Sequence, residues 1–236
     1  MTIKVLGYAA KSAQVPLAPL EFTRRDPRPD DVVMDVLYCG VCHSDLHQAR
    51  NDWGFSSYPL VPGHEVVGRD TAVGKSVTKF KVGDFAGIGC MVDSCRTCDC
   101  CKSGLEQYCS SWATFTYNSP DKHHGGHTFG GYSSGIVVDE AFTLRVPQGM
   151  DLAAHAFAQG GVDHAVAGQR QLAAEGLGHH RGLAVHAVIA LHVRAGARQA
   201  GFDQFTDGFG VQRAFLIKYP AILPAGAPSA CPSRTP

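Results

Sequence analysis

The chain has 236 residues, 44% of them hydrophobic, with 21 lysines and arginines against 21 aspartates and glutamates. That length and apolar content support a hydrophobic core in one large or two modest domains. A formal charge of zero gives no global field to gather nucleic acid or an anionic membrane, so neither is expected as a partner.

The first twenty residues lack the long apolar stretch and small-residue cleavage site of a signal peptide. The longest apolar run, residues 182–193 (GLAVHAVIALHV), is too short to span a bilayer and carries two histidines. A cytoplasmic protein is therefore expected, in a compartment where thiols stay reduced. Nine cysteines, an odd number, fit metal ligation and free thiols better than a disulfide framework.

In chain order, short β-rich runs occupy residues 3–8, 32–39 (VVMDVLYC), 65–68 and 135–138. Proline, glycine and aspartate punctuate them, as at residues 26–30 (DPRPD) and 81–84 (KVGD). Many short strands with few helical stretches predict an all-β barrel or sandwich. After about residue 150 the character changes: no lysine occurs between Lys122 and Lys218, while alanine, glycine, arginine and histidine become abundant. Residues 169–175 could be helical and 183–193 could be helix or buried strand, but no clean alternation of the two emerges. Residues 219–236 are rich in proline, alanine and serine and are expected to have little order. The division expected is a folded unit over residues 1–152 and an aberrant tail of low order over 153–236.

Five cysteines fall within residues 95–109 (CRTCDCCKSGLEQYC). Cys95, Cys98, Cys101 and Cys109 have the spacing of a four-thiolate site, two CxxC steps and a loop that brings the last sulfur back. Zinc takes four thiolates in a closed tetrahedral shell, and such a site is structural because it leaves no position for substrate. An iron–sulfur cluster also uses four cysteines, although its usual spacings differ from this one. Cys100 adjoins Cys101, so its side chain is expected to point away as a free thiol. Upstream, residues 39–47 (CGVCHSDLH) and 62–65 (PGHE) supply Cys42, His64 and Glu65, which can converge on an open zinc site if their two segments lie side by side.

Together these blocks resemble the zinc-dependent alcohol dehydrogenases of the medium-chain dehydrogenase/reductase superfamily, in particular the cinnamyl-alcohol-dehydrogenase-like branch. The resemblance runs through CGVCHSDLH, YPLVPGHEVVG, KVGDFAGIGCMVDSCRTCDCCKSGLEQYC, TYNSPDKHHGGHTFGGYSSGIVVDE and LRVPQGMDLA, from about residue 4 to 154. It implies a mainly β, GroES-like barrel with a structural-zinc lobe at Cys95, Cys98, Cys101 and Cys109. Cys42 and His64 would bind a catalytic zinc, with Glu65 as an alternating or outer ligand. Asp45 would accept a hydrogen bond from His64 and fix its tautomer, and Ser44 and His47 would relay the alcohol proton. Zinc would polarise the alcohol oxygen for hydride transfer to NADP or NAD. The partners implied are a small-molecule alcohol or aldehyde and, by family, a second copy in a homodimer. Trp53 and Cys90 could line a substrate pocket, Trp53 being equally acceptable as core. Asp70 stands where the family continues an apolar strand and is expected to be exposed or paired, since a lone buried carboxylate is costly.

The resemblance ends abruptly. The family's third catalytic ligand, a cysteine soon after the DLAA stretch, has no counterpart, since no cysteine occurs between Cys109 and Cys231. His155 and His164 are nearby donors without a metal-ligand pattern. The glycine pattern Gly176, Gly178, Gly182 sets its third glycine one residue late, with Arg181 in its place, and no β-branched strand precedes it. No dinucleotide site and no Rossmann unit is therefore expected in the tail. A shifted reading frame beginning near Ala154 would account for both the composition change and the lost resemblance. Three functions follow: a zinc-dependent alcohol/aldehyde oxidoreductase by lineage, an inactive zinc-binding remnant, or a zinc-stabilised interaction module.

Overall fold

The computed structural model describes residues 3–147, 149, 151–153 and 156. The tail expected over 153–236, with His155, His164 and the Gly176–Gly182 pattern, lies outside the described residues apart from Ala153 and Ala156. Leu152 and Ala156 pack with Val67 and Val146, so the described chain stays on the folded unit up to Ala156.

Strands β1 (Ile3–Ala9) and β2 (Ala18–Arg24) form an antiparallel hairpin. Strand β3 (Asp31–Cys39) is followed by helix α1 (His43–Ala49), then β4 (Val66–Val73), β5 (Phe85–Ile88) and β6 (Met91–Asp93). Helix α2 (Asp99–Lys102), β7 (Thr114–Phe115), β8 (Gly135–Asp139) and β9 (Thr143–Arg145) complete the order. The main sheet runs β8-β3-β4-β5-β9 with every neighbour antiparallel. The hairpin closes over it: the Tyr8 N–H donates to the Tyr132 carbonyl at 2.8 Å, and Ala10 and Leu60 exchange two bonds of 2.9 Å. The result is a mainly β, curled sheet, as the strand-rich sequence predicted. All four predicted strand segments are present, three within a residue of their expected bounds, while the one expected over 65–68 runs on to Val73.

Alternation along β3 puts Val32, Met34 and Val36 into one core with Val66, Ala86, Ile88, Ile136 and Val138. Each such side chain contributes about 1.5–3 kcal/mol on full burial. The DPRPD punctuation before β3 proves to be more than a turn. Asp31 is fully buried and receives the guanidinium groups of both Arg25 and Arg28. Burial pushes its carboxyl up, but the two arginines outweigh that and hold it well below the usual carboxylate range.

Asp70 departs from expectation. Its neighbours Arg69 and Thr71 point outward, so strict strand alternation turns Asp70 inward opposite Met34, just before the bulge that skips Thr71. It is 1% exposed and neither carboxylate oxygen has a hydrogen-bond partner. Burial first, and the charge of Asp84 second, push its carboxyl up to about 7. Among the described residues no helix is long and apolar enough to cross a membrane.

Candidate metal centres

The β6–β7 ribbon carries the cysteine lobe as the excursion between its strands. The short helix α2, capped by Cys98, sets Cys98 and Cys101 one turn apart, and a 3-10 turn at Glu106–Tyr108 returns the chain to Cys109. The sulfurs of Cys95, Cys98, Cys101 and Cys109 all lie within 4.8 Å of one another. Cys95 and Cys101 stand 3.8 Å apart, and Cys98 and Cys101 3.4 Å apart. Thiolates at about 2.3 Å from a tetrahedral zinc are separated by roughly 3.8 Å, so the quartet fits that ion. Backbone N–H groups of Thr97 and Cys98 draw the Cys95 thiol down to about 5, whereas burial pushes Cys101 up to about 12. A divalent cation is the charge that would let all four ionise together. Cys100 points away from the quartet, as expected, and is buried.

The second centre is assembled from segments distant in sequence. Cys42 caps helix α1 with extended backbone (φ −100°, ψ 151°), and its N–H donates to Asp45 Oδ2 at 2.9 Å. That bond fixes both the helix start and the direction of the Cys42 side chain. His64 and Glu65 enter β4, where the Gly40 N–H bonds the Glu65 carbonyl at 2.9 Å and locks the two segments together. Donor atoms of Cys42, His64 and Glu65 lie within 4.8 Å of one another, with His64 and Glu65 buried and Cys42 half-buried. One thiol, one imidazole and one carboxylate make a donor set suited to zinc with a position left over.

Asp45, 2% exposed, organises this centre. Its Oδ1 accepts from the Gly63 N–H at 2.9 Å and stands 3.2 Å from His64 Nδ1. Its Oδ2 accepts from Cys42 N–H and, at 3.1 Å, from the Tyr132 hydroxyl. Burial opposes ionisation of Asp45, but the charge and hydrogen bond of His64 with the two backbone N–H groups prevail and lower its carboxyl. Burial likewise would lower His64, and Asp45 overrides it and raises the imidazole well above its ordinary value. For Cys42, burial pushes the thiol up while His64 and Ser44 pull it down, with a net lowering. The Nδ1 bond to Asp45 leaves Nε2 of His64 for the metal side, the arrangement expected of an outer carboxylate.

Ser44 lies beside the site, its Oγ 3.6 Å from Cys42 Sγ. His47, the expected end of the relay, sits one turn further along α1 with Nδ1 2.8 Å from Asp52 Oδ2. Its ring stands 5.1 Å from His43 and 5.2 Å from Trp53, and Trp53 stacks on Phe55 at 5.9 Å. Trp53 is 47% exposed, so it is not core.

A comparison with family models matches residues 28–148, just over half of the chain, to the alcohol dehydrogenase GroES-like domain. The chain belongs to that family. Aldehyde reductase YahK of Escherichia coli is 55% identical to this GroES-like domain over 146 residues, which cover 62% of this chain and 41% of that protein. Among solved structures, the cinnamyl alcohol dehydrogenase SbCAD4 of Sorghum bicolor matches at 47% identity with a TM-score of 0.64, covering 66% of this chain and 44% of that one. The CAD of Helicobacter pylori, solved complexed with NADP(H), matches at 41% identity and a TM-score of 0.65, covering 67% and 46%. The chain spans about two-fifths of the length of the curated relatives it matches.

Three residues of the GroES-like domain's site were missed from sequence: Asp52, Tyr132 and Tyr117, whose ring stands 5.7 Å from His64. Asp52 carries no signal beyond five-residue spacing from His47. Tyr132 lies in the GGY triplet, within the block that carries the resemblance, but only the folded chain shows what its hydroxyl meets.

Proposed function

We propose that this GroES-like domain is the zinc-holding, substrate-facing part of an NADP- or NAD-linked alcohol/aldehyde oxidoreductase. The observation that carries the proposal is the convergence of Cys42, His64 and Glu65 around one point, with Asp45 bound to the far nitrogen of His64. When bound there, zinc supplies Lewis acidity toward an alcohol or carbonyl oxygen. Cys42 and His64 would hold it, and Glu65 would exchange with incoming ligands. Ser44, beside Cys42, would accept the alcohol proton, and His47, held by Asp52 at the surface, would pass it to water. The exposed His47–Trp53–Phe55 stack offers a flat apolar wall beside that path. Cys95, Cys98, Cys101 and Cys109 would hold a structural zinc that stiffens the lobe. NADP as hydride carrier draws support from the NADP(H) complex of the Helicobacter pylori relative. A unit over residues 1–152, a reducing cytoplasmic setting and a homodimer belong to the same proposal.

A second reading, a zinc-binding remnant without turnover, is favoured by the donor count. Among the described residues only three donors converge on the open centre, and no cysteine stands between Cys109 and Cys231. Hydride transfer also needs a bound hydride carrier. Three measurements on the full chain separate the readings. Two zincs per chain, NADPH fluorescence that changes on adding protein, and alcohol-dependent NADP reduction support the oxidoreductase. One or two zincs with no cofactor response support the remnant, and no zinc overturns both.

A further inference from the structure

Three chain segments meet at the buried Asp45 carboxylate, and one of them is not explained by metal ligation. Its oxygens take four donors: the N–H groups of Cys42 and Gly63, the His64 ring, and the phenol of Tyr132. A carboxylate has about four acceptor positions, so these four bonds fill it, and the Tyr117 hydroxyl interacts with the same carboxylate. The first three donors come from residues already at the centre. Tyr132 comes from the far side, just before β8, and is 4% exposed.

The backbone is shaped to bring it there. Gly130 N–H bonds the Val61 carbonyl at 2.7 Å, Gly131 N–H the Gly63 carbonyl at 2.8 Å, and Tyr132 N–H the Pro62 carbonyl at 3.0 Å. This close pairing of the PGH loop with the GGY triplet needs glycine on both sides. A Cβ on Gly63, which has φ +99°, would stand 2.6 Å from Tyr132 Cδ1, and one on Gly130 would stand 2.4 Å from the Gly63 carbonyl oxygen. Phenylalanine would fill the same hole in the core that Tyr132 fills, but it would remove the hydroxyl that donates to the buried Asp45 Oδ2.

We infer that Tyr132 is a positioning residue for the metal-facing imidazole of His64, acting through Asp45. Its hydroxyl pins Oδ2, so the carboxylate cannot rotate, and Oδ1 stays aligned with His64 Nδ1. The inference rests on Cys42, His64 and Glu65 forming a metal site, and it adds a second layer of support behind that site.

The test is a cobalt(II) titration of the full chain, read by visible absorption. A four-thiolate lobe and a one-thiolate site give charge-transfer bands of very different intensity, so the two can be followed separately. Tyr132→Phe is expected to weaken cobalt at the one-thiolate site by about three- to tenfold, somewhat less than the loss of a direct partner of a ligand, and to leave the lobe unchanged. In an Asp45→Asn background the same substitution is expected to cost nothing more, because the chain of contacts is already broken. Unchanged affinity at the one-thiolate site, equal weakening of both sites, or full additivity with Asp45→Asn would each overturn the inference. Wild-type protein that fills the lobe but never the one-thiolate site sinks the parent proposal, and this inference with it. Should Tyr132→Phe fail to fold, 3-fluorotyrosine at position 132 keeps the shape and strengthens the donor. It is then expected to tighten cobalt binding, and no change would count against the inference.

Discussion

The cysteine lobe and the Cys42–His64–Glu65 centre solve the same problem, holding donors at one point, by opposite means. In the lobe all four sulfurs come from fifteen consecutive residues, and a four-residue helix and a single 3-10 turn suffice to gather them. In the other centre a helix cap and a strand entry some twenty residues apart are joined by a buried carboxylate, and a third segment is tied in through Tyr132. A metal bound in the lobe would supply its order, because the lobe has little core of its own. The open centre depends on the main sheet, because Cys42 follows β3 and His64 and Glu65 lead into β4, and Cys39 and Val66 at those strand ends are part of the main core. The difference teaches where each should fail: the lobe when its ligands are cut, the open centre when its supports are.

The largest effect expected separates the two most directly. Cys98→Ser should abolish metal binding at the lobe and unfold it locally, lowering bound zinc by one per chain and exposing residues 94–113 to protease. Cys42→Ser should remove the other zinc and leave the melting profile nearly intact. Metal analysis with limited proteolysis checks both, and a protease-resistant Cys98→Ser lobe would break the contrast. Next, Asp45→Asn should weaken metal at the open centre by about 10–100-fold, while the lobe keeps its affinity.

Gly63→Ala tests the dependence on the main sheet. It sets a side chain at φ +99° against Tyr132, and should cost about 2–3 kcal/mol of stability, read by urea unfolding, together with open-centre metal affinity. A variant as stable as wild type would mean that the PGH–GGY contact is not tight.

The smallest effect concerns the core of the main sheet. Asp70, with its carboxyl raised to about 7, binds a proton more readily folded than unfolded, where the ordinary value is about 4. The native state therefore holds more protons than the unfolded one between about pH 4 and pH 7, and stability from this group falls as pH rises through that window. Asp70→Asn cannot ionise. It should match wild type most closely near pH 4 and exceed it by about 1–2 kcal/mol at pH 8, the cost of ionising the buried carboxyl after water and side chains relax around the charge. Denaturant midpoints at the two pH values measure the difference, and a gain that is larger at low pH would reverse the assignment.

The sequence marked the four sulfurs that meet in the lobe, since its geometry is local and spacing alone nearly determines which sulfurs can meet. It also carried the mainly β character, because alternation and turn residues act over a few positions. It marked Cys42, His64 and Glu65, but their convergence is a fact of the tertiary structure, as are the Asp52 clasp on His47 and the Tyr132 hydroxyl on Asp45. Asp70 shows the same limit in reverse: its side follows from strand register, which a bulge and pairing partners decide, and polarity alone pointed the wrong way. What the sequence determined by itself is what neighbouring residues enforce through short-range geometry. What only the folded chain decided is where a donor on one segment finds its acceptor on another, because that depends on how the curled sheet brings distant backbone together.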